Sequence, residues 1–130
     1  MGTTIRIPVQ SYRDLIAWRK SMELPREIYR LTETFPRIET YGLVSQMRRA
    51  AVSVPTKIAE GHERISTGDY RQFLGHALGS LMEIETHVLL AESLGYLEKE
   101  KSEGVLLQTG EVAKILHGLL RSLRIRMEKG

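Results

Sequence analysis

The chain has 130 residues, 42% of them hydrophobic, and no cysteine, so it is one domain in length and builds its core without disulfides or a thiolate metal site. Its 19 basic residues against 16 acidic ones give a net charge of +3, which admits an anionic partner without demanding one. No run of about twenty apolar residues could span a bilayer, and the first ten residues lack an apolar signal core, so a cytoplasmic location is expected.

Residues 1–10 read as a flexible N-terminal segment and residues 11–130 as one helical domain, cut by proline and glycine into four segments with helical periodicity. The first helix is predicted to begin near Tyr12, because Ser11 followed three residues later by Asp14 has the spacing of a capping box. Leu15, Trp18, Met22 and Tyr29 then share one face, and Pro36 ends the helix around Thr34 or Phe35. Pro25 lacks an N–H and crowds the preceding turn, so a kink is expected at Ser21 to Met22.

A second helix from Thr40 or Tyr41 to Gly61 or His62 carries Leu43, Met47, Ala50, Val54 and Ile58 at alternating spacings of four and three. Pro55 predicts a second kink near Val52 and Ser53. The third helix opens on Ser66 and Asp69 and carries Tyr70, Leu74, Ala77, Leu81, Ile84, Val88 and Ala91, stopping at Gly95. The fourth runs from about Glu98 to Met127 with Val112, Ile115, Leu116, Leu119 and Leu123 inward. Gly75, Gly79, Gly110 and Gly118 are expected to permit close helix approach. Short connections between long helices predict an all-α, antiparallel up-down-up-down four-helix bundle.

Leu78, Leu89 and Leu94 on the third helix and Leu106, Leu107 and Leu120 on the fourth fall off the main seam. A bundle needs one buried face per helix, so this surplus predicts a homo-oligomer.

The charges suggest two kinds of site. A carboxylate near an apolar seam needs a guanidinium, so Arg48 or Arg49 is expected to pair with Glu60 or Glu85, within the chain or across a subunit boundary. Basic residues gather at Arg48, Arg49, Lys57, Arg64 and Arg71, and again at Arg121, Arg124, Arg126 and Lys129. By segment, residues 1–75 hold 12 basic and 8 acidic groups, residues 76–110 hold 2 and 6, and residues 111–130 hold 5 and 2. Such patches suit phosphates read without regard to base, although a cationic last turn also favours the helix dipole.

For metal or catalytic chemistry the sequence offers little. The paired Glu-x-x-His of di-iron bundles is missing, and Glu83 with His87, or Glu60 with His62, would supply two ligands at most. No serine has a base in recognisable spacing and no glycine-rich loop follows a strand. A non-enzymatic protein without cofactor or metal is the resulting expectation.

Three runs carry a resemblance over most of the chain: AWRKSMELPREIYRLTETFP (Ala17 to Pro36), VSQMRRAAVSVPTKIAEGHER (Val44 to Arg64) and FLGHALGSLMEIETHVLLAESLGYL (Phe73 to Leu97). They resemble the four-helix bundle proteins first noticed as products of intervening sequences in bacterial 23S ribosomal RNA genes, similar in fold to the accessory variability determinant proteins of diversity-generating retroelements. The resemblance implies a homopentameric barrel without established enzymatic activity. For the retroelement relatives it also implies a basic surface that binds nucleic acid and a partner reverse transcriptase. Lys57 departs from an asparagine common in the family, and Pro25 from a regular helix former. Together these readings point to an accessory protein that contacts RNA or DNA backbone through Arg48, Arg49, Lys57, Arg64, Arg71, Arg121, Arg124 and Arg126. The alternative is a protein-interaction scaffold, for example a reverse transcriptase accessory subunit, with no nucleic-acid role of its own.

Overall fold

A computed structural model describes residues 10–129, and within them the chain forms five helices that make four rods. The first rod is α1 (Ile16–Ser21) followed directly by α2 (Glu23–Thr32). The others are α3 (Leu43–His62), α4 (Thr67–Ser93) and α5 (Lys99–Lys129). The flexible segment expected over residues 1–10 lies outside the described residues except for Gln10.

The Pro25 kink falls where its chemistry puts it. The amide that Pro25 lacks would have bonded the carbonyl of Ser21 four residues earlier, and the helix breaks at Met22, between α1 and α2. Pro55 behaves differently: α3 runs unbroken from Leu43 to His62, so the second expected kink does not interrupt the helix. Pro55 is buried with Ala51 and Val54, and Thr56 Oγ1 donates to the Val52 carbonyl at 2.8 Å in the same turn. Burial of Ala51, Val54 and Pro55 against the core keeps the helix continuous across the missing hydrogen bond.

The first helix also starts later than its cap signal suggested. Ser11 and Asp14 do form a reciprocal capping box, but it closes a single 3-10 turn, Tyr12–Asp14. Leu15 then turns extended, with φ −73° and ψ 128°, before α1 begins. A second short turn, Arg37–Glu39, delays α3 to Leu43. There the Glu39 carboxylate accepts from the Leu43 amide at 3.2 Å and satisfies one of the free donors of the helix start.

Contacts run around a closed square: the first rod touches α3 and α5, and α4 touches the same two. The two poles fix the antiparallel order. At one, Phe35 and the end of α4 meet through the ring pair Phe35 and Tyr96, centroids 5.5 Å apart, and Tyr96 Oη donates to Glu39. At the other, Arg71 near the start of α4 reaches Met127 near the end of α5.

The core confirms three of the four predicted seams. Leu43, Met47, Ala50, Val54 and Ile58 on α3 are buried, as are Leu74, Ala77, Leu81, Ile84, Val88 and Ala91 on α4. Val112, Leu116 and Leu123 on α5 are buried, with Ile115 and Leu119 packed beside them. The first rod differs. Its inward face is Ala17, Ser21, Leu24, Ile28 and Thr32, a spacing of four and three hidden in sequence by two polar members. Ser21 and Thr32 are tolerated there because their hydroxyls donate to the carbonyls of Trp18 and Ile28, the back-bonding open to short hydroxyl side chains. Leu15, Trp18 and Met22 lie at the rim and Tyr29 is exposed.

The glycines are corrected too. A β-carbon at Gly75, Gly79, Gly110 or Gly118 would meet nothing within 4 Å, whereas Gly61 is the close approach, against Phe73 and Tyr70 of α4.

Candidate functional site

The eight basic residues singled out in sequence separate into three groups on three surfaces. Arg71, Arg121 and Arg124 line one open polar hollow of about 320 Å³ between the start of α4 and the end of α5, together with His117 and Leu120. Arg126 stands on the same last turns, and its charge acts on the Tyr70 hydroxyl. Burial pushes the Tyr70 phenol up, and the Arg126 charge opposes that rise.

No carboxylate comes within 4 Å of Arg71, Arg121, Arg124 or Arg126 among the described residues. The enclosed Nε of Arg71 has no hydrogen-bond partner, and its Nη1 faces only the Met127 sulfur at 3.7 Å. Guanidinium groups usually bring planar acceptors to their forks, so this pole presents unused donors.

Lys57 and Arg64 form the second group and are partly neutralised. Both approach Glu60, at 3.8 and 4.0 Å, and both lie over the Phe73 ring, at 5.6 and 4.5 Å from its centroid. Exposed pairs at this spacing stabilise a helix by only about 0.3–0.5 kcal/mol.

Arg48 and Arg49 form the third group, on the groove between the first rod and α3. Arg48 Nε donates to Thr32 Oγ1 at 3.0 Å, and its Cζ sits 4.4 Å from the Tyr29 ring centroid. The expected pairing of Arg48 or Arg49 with Glu60 or Glu85 is therefore not made within the chain. Glu60 is taken by Lys57 and Arg64. Glu85, half-buried beside α5, lies 2.6 Å from the Thr109 hydroxyl, and a charge-assisted hydroxyl contact meets the carboxylate where a guanidinium was anticipated.

Beside Arg49, the Oγ atoms of Ser53 and Ser80 are 2.8 Å apart and join α3 to α4. Gln46 and Glu83 complete that small polar notch. One turn on from Glu83, burial lowers the pKa of His87 below its ordinary 6.5, and the Glu83 charge partly offsets the effect. Among the described residues no three His, Asp or Glu side chains gather as a metal site would require, and no helix is long and apolar enough to cross a membrane.

A family model described as the 23S rRNA-intervening sequence protein matches residues 13–118. The chain belongs to that family. A crystal structure of an S23 ribosomal protein family member of unknown function from Bacteroides thetaiotaomicron has the same fold, with a TM-score of 0.75. It is 23% identical and the alignment covers 81% of this chain and 98% of that one. No curated protein matches the sequence.

Family membership agrees with the runs quoted above, and the four-helix fold is common to this chain and the Bacteroides structure. Two features of the surface were missed in sequence. His117 joins the arginine hollow, and its spacing of four to Arg121 and seven to Arg124 would have placed all three on one face of α5. The aromatic groove beside Arg48 is hidden in sequence because Trp18, Met22 and Tyr29 share one helix face, which periodicity alone reads as inward.

Proposed function

We propose that this member of the intervening-sequence family is a non-enzymatic accessory protein that holds RNA or DNA by the phosphate backbone, with the pole formed by Arg71, Arg121, Arg124 and Arg126 as its main contact. The observation that carries this reading is the gathering of four arginines at one pole of the bundle with no carboxylate within 4 Å among the described residues. Arg121, Arg124 and Arg126 are exposed and Arg71 is half-buried; none of the four has a carboxylate partner among the described residues, and phosphate oxygens suit their forks. Lys57 and Arg64 add charge near the same pole, and Arg48 and Arg49 contribute a separate surface.

The protein works as a homo-oligomer, which the family resemblance puts at five subunits. Of the six leucines off the main seam, Leu89, Leu94 and Leu107 are about half-exposed or more, at 49%, 50% and 74%, while Leu78 and Leu120 pack on the chain's own core. The three exposed ones support an apolar face for a sister chain, and each added subunit multiplies the cationic poles available to one polyanion. These same leucines also support a second reading, a scaffold that docks another protein such as a reverse transcriptase. Titrating the protein with a structured RNA at rising salt tests the first reading: affinity falls steeply with salt. Salt-insensitive binding, or none, overturns it. A partner captured from nuclease-treated extract supports the scaffold instead.

A further inference from the structure

The apolar stripe of the first rod that the core leaves unused opens onto α3. Two adjoining hollows of about 630 and 480 Å³ share Tyr29 and Val52 and so form one continuous trough. Trp18 and Tyr29 line one part, and Tyr29 and Tyr41 the other. Arg26, Arg48 and Arg49 stand along its length; no aspartate or glutamate lines these two hollows, and Glu60 and Glu63 stand in the next one, which shares Tyr12 and Ala59 with the first. Tyr41 is 96% exposed, so its ring is open to a flat ligand, while Arg48 covers one face of Tyr29, which is 45% exposed.

We propose that this trough takes unpaired nucleotides of a single RNA or DNA strand, their bases against the aromatic rings and their phosphates on the arginines. The inference rests on the backbone-binding reading above and adds to it the strand state and a second contact surface. Surfaces that bind single strands without sequence preference combine a cationic track with aromatic platforms, since every base has a π face. An apolar helix of a partner protein would bury the same rings, but it would leave Arg26 and Arg49 beside it without acceptors, Arg48 alone being held by Thr32 and the Tyr29 carbonyl. Phosphates supply those acceptors. Arg48 Cζ lies 4.4 Å from the Tyr29 ring centroid, so a base reaching this part of the trough meets the guanidinium before the ring. In a duplex the bases are stacked on one another and their faces are closed to the trough.

Trp18 is the single tryptophan of the sequence, so its fluorescence reports on the trough directly. The full chain is titrated with oligouridylate long enough to lie along both hollows, and with an RNA duplex of equal length. The expected result is quenching of Trp18 by the single strand alone. Replacing Tyr41 with alanine, at a position too exposed to disturb the fold, weakens single-strand binding about ten-fold and leaves duplex binding unchanged. Arg121→Glu with Arg124→Glu weakens both.

Binding of the single strand with no change in Trp18 emission, or with equal affinity in Tyr41→Ala, overturns the inference and leaves the backbone reading standing. Emission that shifts with protein concentration and not with oligonucleotide shows a sister chain in the trough, which also overturns it. Failure of both strand and duplex to bind removes the backbone reading as well.

Discussion

Gly61 and Phe73 meet where α3 ends and α4 begins: a β-carbon on Gly61 would lie 2.8 Å from the Phe73 Cβ, and 3.1 Å from Cδ1 of Tyr70. The nearest atom is the first carbon of a side chain fixed to its own helix, so rotation cannot relieve the clash. This glycine sets how closely the two helices can approach, and α3 and α4 form the most extensive pairing in the bundle.

Gly61→Ala is accordingly expected to destabilise the chain by about 2 kcal/mol, in the range of overpacked cores, measured by urea unfolding. Gly75→Ala and Gly79→Ala have nothing within 4 Å to meet. Each should stabilise the protomer by about 0.5–1 kcal/mol through helix propensity alone. Loss of solution mass in either variant would instead place a sister helix over those glycines.

The contact between Glu85 and Thr109, where α4 packs on α5, sets a second expectation. Thr109 is fully buried, and Thr109→Val keeps its shape while removing the hydroxyl. The loss is about 1.5–3 kcal/mol, as for a hydrogen bond to a charged group. Glu85→Ala lowers the melting temperature as well, and in the double variant the effects fall short of their sum because they remove one interaction. Full additivity in a double-mutant cycle would reject the coupling.

His87 gives the stability a pH dependence of definite sign. Burial depresses its folded-state pKa below 6.5, so the unfolded chain binds the proton more readily. Its contribution is complete above about pH 6.5 and is lost as the pH falls through the folded value. Denaturant unfolding at several pH values between 7.5 and 5 should show a steeper acid-side loss for the natural chain than for His87→Gln. Parallel curves would mean that His87 titrates alike in both states.

Nucleic-acid binding is expected to report the number of phosphates engaged. Each phosphate neutralised on a duplex contributes about −0.9 to the slope of log affinity against log salt. Removing Arg121 and Arg124 together by glutamine should therefore make that slope shallower by about 2, and weaken binding to unrelated sequences alike. Lys57→Gln should change it less, because Glu60 already draws on that charge. A double variant with an unchanged slope would move the contact elsewhere on the surface.

Much of this was legible in the residues. The seam from Leu74 to Ala91, the break at Ser21 to Met22 and the stop at Gly95, which adopts φ +81°, follow from spacing and from the covalent limits of proline and glycine. Those signals act within a few residues, so the chain carries them whatever it packs against. The first rod misled because its inward face includes Ser21 and Thr32, while Trp18, Met22 and Tyr29 make a stripe that looks more apolar. Hydrophobicity alone cannot tell a core face from an unfilled groove.

Four amphipathic rods and their order can be read from the residues alone, because periodicity and turn chemistry are local, and the three quoted runs carry the family. Which arginines stand together depends on how the rods pack. Arg71 is some fifty residues from Arg121 in the chain, and the antiparallel return of α5 past the start of α4 brings both to one hollow. That packing likewise gives Glu85 to Thr109 on another helix, a partner set by distance through space, whereas Glu60 meets Lys57 and Arg64 at the local spacings of three and four residues.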